Sequence, residues 1–126
     1  MKANSVQVTI VAASAETLDG LQAYLSRAGV GTRATRELAG ACAHPCSAVI
    51  LFPDDFSPRD VQRELRRLRR ERPHLVPLVV TGEPDRYARM SDVDGTRRTP
   101  IVLIKPAWGW TILEAIREAV EPPGRE

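Results

Sequence analysis

The sequence predicts an α/β domain in which five parallel strands are covered on both faces by helices. Two observations carry that expectation. Short, continuously apolar runs, which suit strands buried on both faces, alternate with segments whose apolar residues recur at helical spacing. Turn and capping residues punctuate most of the boundaries. Such alternation favours right-handed crossovers and a single sheet between two helical layers.

The elements follow in order. Val6 to Ala12 alternates and then becomes continuously apolar, as a central strand does. Ser14 offers an N-cap, and Leu18, Leu21, Leu25 and Ala28 form a helical stripe that Gly29 ends. A polar strand from Thr32 to Thr35 and a small helix from Glu37 to Ala43, closed by Pro45, come next. Ser47 to Phe52 is a third strand, followed by the loop Pro53, Asp54, Asp55, Phe56. Ser57 caps and Pro58 opens a helix striped by Val61, Leu65 and Leu68, which ends before Pro73. Leu75 to Thr81 is the fourth strand and Ile101 to Ile104 the fifth. Between them, Glu83 to Thr99 shows little periodicity and is expected to be a poor helix or a long mobile loop. Ile112, Leu113, Ile116, Ala119 and Val120 mark a last helix that Pro122 and Pro123 terminate.

At 126 residues the chain fits one domain, with a core from about residue 5 to 121 and a short polar tail. Hydrophobic residues at 43% and charged residues at 27% exclude the disordered class. No segment approaches the ~20 apolar residues of a membrane span. The start MKANSVQVTI lacks the layout of a secretion signal, so a cytoplasmic location without a membrane partner is expected. Cys42, His44 and Cys46 in the run CAHPC supply three soft ligands, and His74 lies far along the chain. Structural zinc takes four well-spaced ligands, so free thiols are expected and no metal or other cofactor.

Thr81 ends the fourth strand, and Lys105 followed by Pro106 ends the fifth, 24 residues later. With the five-fold alternation, these residues make nearly the whole chain resemble the response-regulator receiver family, of the chemotaxis-regulator kind. The resemblance implies the flavodoxin-like sheet order 2-1-3-4-5, with the functional pocket at the carboxyl ends of the strands. It also implies a phosphorylation site: an acidic pair after the first strand and an aspartate after the third hold Mg²⁺, while the Thr and Lys contact the phosphoryl group.

This sequence departs from that pattern at several places. The acidic pair falls on Ala12 and Ala13, which cannot ligate a cation. The acceptor falls on Pro53 if placed directly after the apolar run, or on Asp54 if placed four residues before Pro58; Asp55 is the other nearby carboxylate. The aromatic that the family carries three residues before the Lys is here Val102. The expected function is therefore that of a degenerate pseudo-receiver, a non-catalytic signalling or scaffolding domain acting through protein contacts. Ala12, Ala13, Pro53, Asp54, Asp55, Thr81 and Lys105 would form its vestigial phospho-pocket, with Lys105 paired to Asp54 or Asp55 and Thr81 capping the turn at Gly82. The alternative is a phosphorylatable receiver using Asp54, with Asp55 as a substitute ligand.

Two surface features suggest partners. Trp108 and Trp110 follow the Lys-Pro pair, and Tyr87 could extend the same surface, making these residues candidates for docking a protein or a second copy of the chain. Arg59, Arg63, Arg66, Arg67, Arg69, Arg70 and Arg72 crowd into one helix. A nucleic-acid footprint is a third reading of that helix. It ranks behind a solvated face, since Asp60, Glu64 and Glu71 are interleaved and no aromatic residue offers base stacking.

Overall fold

A computed structural model of the chain describes residues 6–39, 46–88 and 101–120. The elements run β1 (Gln7–Val11), α1 (Ala15–Arg27), β2 (Gly31–Thr35), β3 (Ala48–Leu51), α2 (Pro58–Glu71), β4 (Val76–Thr81), α3 (Pro84–Ala88), β5 (Ile101–Ile104) and α4 (Gly109–Val120). All four strand pairings are parallel, and the sheet order is β2-β1-β3-β4-β5, as expected from the sequence.

The two-residue period of each strand divides the core in two. Val8, Ile10, Ala48, Ile50, Val76, Leu78 and Val80 pack on one side with Leu18, Leu21 and Leu25 of α1 and Ile112, Leu113 and Ile116 of α4. Val11, Val49, Leu51 and Val79 pack on the other side with Val61, Leu65 and Leu68 of α2. Because β3 is buried at every position, it can carry no polar group until it ends.

Local chemistry sets the helix limits. The Ser14 hydroxyl accepts from the Thr17 amide at 3.2 Å, and the Ser57 hydroxyl accepts from the Asp60 amide at 3.4 Å. Gly29 stops α1 at φ 88°, a conformation that costs glycine little. Pro77 occupies the second position of β4, where only one early ladder bond is forfeited.

The region after β4 differs in part from the expectation. Pro84 to Ala88 forms one ordered turn of helix, while the rest of the expected loop lies outside the described residues. Most of the small helix expected between Glu37 and Ala43 also lies outside them, as do Cys42 and His44; Cys46 is a half-buried free thiol. Among the described residues, no helix is long and apolar enough to cross a membrane.

Ile50 is fully buried at the centre of the sheet. Ile50→Ala should lower the unfolding free energy by about 2–5 kcal/mol in urea titration, combining lost transfer energy with a residual cavity. A loss under about 1 kcal/mol, the scale of trimming a single methyl group, would contradict this packing.

Candidate functional site

Parallel register brings the strand ends to a common edge. Val11 is level with Leu51, Leu51 with Val79, and Thr81 with Ile104. The residues that follow β1, β3, β4 and β5 therefore meet at the carboxyl edge of the sheet, where chemistry in open α/β folds is concentrated.

After β3 the chain makes a single 3-10 turn over Pro53–Asp55. Pro53 is buried, and Asp54 carries the carboxylate that faces Thr81 and Lys105. This geometry selects Asp54 over Pro53 for the position opposite that pair. The Thr81 hydroxyl donates to Asp54 Oδ1 at 2.6 Å, and the Gly82 amide donates to Oδ2 at 2.9 Å. Lys105 Nζ stands 3.3 Å from the same Oδ2.

Burial alone would raise the Asp54 pKa. The Gly82 amide, the Thr81 hydroxyl and the Lys105 ammonium outweigh it, so the carboxyl titrates below its usual 3.8. Thr81 contributes a second link, because its oxygen also accepts from the Glu83 amide at 2.9 Å. That bond caps the lead-in to α3. The expected pairing of Lys105 with an aspartate and the capping role of Thr81 are both present.

Asp55 serves the opposite flank of β3. Its Oδ2 accepts from the Ala13 amide at 2.9 Å, while the Ala13 carbonyl accepts from Arg36 Nε at 2.9 Å. The segment after β1 is thus held by its backbone, between an anion and a cation. Ala12 is fully buried and contributes a methyl group where the family pattern has an acid. Among the described residues, no group of three or more His, Cys, Asp or Glu side chains is arranged to hold a metal. Arg36 was missed in the sequence, as a lone arginine after a short polar strand carries no spacing that points to a backbone carbonyl.

The aromatic residues separate. Trp108 and Trp110 are 64% and 59% exposed, and Ile104 at the end of β5 is 63% exposed. The Trp108 carbonyl accepts from the amides of Thr111 and Ile112, which fixes it at the start of α4. Tyr87 does not belong to that surface. It is 1% exposed and lies in the α2-side core, with Val102 packed against the same cluster, so the expectation that it docks a partner is corrected. Position 87 is the fourth residue of α3, on the turn that faces the sheet, and the periodicity around it was too short to show this.

A groove of about 690 Å³ opens beside the site, between α1 and the start of α4. Leu21, Phe52, Val80 and Ile112 are among its apolar lining residues, and Asp55 and Lys105 also line it.

No protein-family model matches this sequence, and no curated protein matches it. Solved structures do. A response regulator receiver protein from Sinorhizobium medicae is 20% identical, with 98% of each chain covered and a TM-score of 0.74. A response regulator from Thermotoga maritima is 16% identical over 93% of this chain and 98% of the other, at a TM-score of 0.74. The signal receiver domain of an HD domain-containing protein from Pseudomonas fluorescens is 21% identical over 94% and 96%, at 0.70. The fold is that of a receiver domain.

In this receiver fold, the lowered Asp54 pKa sets the sign of a pH effect. A carboxyl depressed in the folded state adds stability above its unfolded pKa and loses it as pH falls through the folded value. The contribution should therefore be complete at neutral pH and decline below about pH 3.8. Asp54→Asn should cost about 1–2 kcal/mol at pH 7, the scale of a charge-assisted bond moderated by partial exposure. It should also remove that acid-range component from the thermal unfolding midpoint, and equal acid sensitivity in both proteins would refute the assignment.

Proposed function

We propose that this chain is a signalling domain that works without phosphorylation, through contact with a protein partner, and that it is not an enzyme. The observation that carries the reading is the pair Ala12 and Ala13, one buried and the other fastened by its backbone to Asp55 and Arg36. A phosphoryl-transfer pocket of this class needs fixed acidic ligands for Mg²⁺. Here those positions offer no side-chain oxygen.

The state of Asp54 supports the same reading. The Thr81 hydroxyl, the Gly82 amide and the Lys105 ammonium already satisfy its carboxylate, so the chain's own groups stabilise the charge. The partner would meet the exposed Trp108 and Trp110, of the residue type most enriched at binding hot spots, with the exposed Ile104 as a further apolar side chain. The receiver fold of the structural neighbours supports a role in two-component signalling and a cytoplasmic setting.

The test is incubation with a small-molecule phosphodonor and Mg²⁺, read by intact mass. The protein should gain no phosphoryl group. A stoichiometric, Mg²⁺-dependent adduct that disappears in Asp54→Asn would overturn the proposal in favour of a working phosphoacceptor.

A further inference from the structure

Helix α2 carries more positive charge than its own folding uses. From residue 58 to 72, seven arginines face three carboxylates, whereas the rest of the chain holds eleven cations against thirteen carboxylates. The apolar stripe of Val61, Leu65 and Leu68 is spent on the core. What remains outside is sorted, not mixed.

On one flank the charges are balanced. Arg67 reaches Glu64 at 2.9 Å and Glu71 at 3.5 Å. On the outward face, Arg59, Arg63, Arg66 and Arg70 are all exposed and follow steps of four, three and four residues. At 3.6 residues per turn these positions fall within a sector of about 60° and extend about 16 Å along the axis. Among the described residues Arg63 has a single weak pair, 3.5 Å to the exposed Asp60. Arg59, Arg66 and Arg70 have no ion pair among the described residues.

Like charges at these spacings destabilise a helix by roughly 0.2–0.5 kcal/mol per pair. A face that served only solubility would interleave acids, as the Arg67 flank does. We infer that this stripe is a binding surface for the phosphate backbone of double-stranded nucleic acid, recognised without regard to sequence.

The character of the stripe selects that partner. The apolar side of α2 is buried, so the helix has nothing to insert into a lipid interface. Aromatic residues are missing from the exposed stripe, which disfavours single strands that bind by base stacking. It also lacks the apolar or aromatic anchor around which protein interfaces form. A row of guanidinium groups on a rigid helix matches the polar, strongly positive character of duplex-binding surfaces.

The experiment is fluorescence anisotropy of the whole chain with a short labelled DNA duplex. Binding should weaken about a thousandfold between roughly 25 and 200 mM NaCl, with a log–log slope near −3 to −4 for three or four neutralised phosphates. A duplex of shuffled sequence should bind equally well. Joint replacement R59Q, R63Q, R66Q and R70Q alters only exposed side chains, and its fold is checked by urea unfolding. This variant should lose binding and flatten the slope, while Arg67→Gln should change little. The inference is overturned if the native chain ignores duplex at low salt. It is equally overturned if the quadruple variant binds as well, or if vesicles containing phosphatidylserine bind and the duplex does not.

Discussion

A parallel sheet covered on both faces governs this molecule. Every central strand must be apolar in both parities, since neither face meets water. β3 obeys this at all four positions, and β1 departs from it inside only at Thr9. Chemistry is thereby pushed to the strand ends, and parallel register brings those ends to one edge. The cluster of Asp54, Asp55, Thr81 and Lys105 is a product of that constraint before it is a product of any function.

Within the cluster, the two adjacent aspartates do different work. Asp54 gathers donors from beyond β4 and β5, whereas Asp55 ties down the segment beyond β1. Carboxylates gathered at a sheet edge need opposite charge or hydrogen-bond donors to offset their desolvation. These are balanced by a lysine, a hydroxyl and backbone amides of the chain itself.

Much of this was legible in the sequence, and the reasons for success and failure are specific. The runs SAVILF and LVPLVVT could hardly be anything but doubly buried strands, and with the alternating helices they led to a parallel sheet, whose order the receiver resemblance supplied. Thr81 and Lys105 were identifiable through the receiver resemblance, which looks for a Thr and a Lys-Pro at the ends of the last two strands. The sequence left Pro53 and Asp54 open for the position after β3, and the 3-10 turn at Pro53 turns the Asp54 side chain toward Lys105. Tyr87 was misjudged because five residues of helix display too little periodicity to distinguish a buried face from an exposed one. The sequence likewise showed how many arginines α2 holds, and only the helix geometry showed that four of them line up while Arg67 is neutralised.

Helix α3 is too short to persist alone, as one turn does not recover the cost of helix nucleation. It is moored at two points, by the amides of Gly82 and Glu83, which hang from Asp54 and Thr81, and by Tyr87 sunk in the core. The Gly82 amide proton, bonded directly to Asp54 Oδ2, is therefore a local gauge of that carboxylate. Discharging Asp54 would slacken one mooring and leave Tyr87 to hold the segment, which lowers the cost of its local opening.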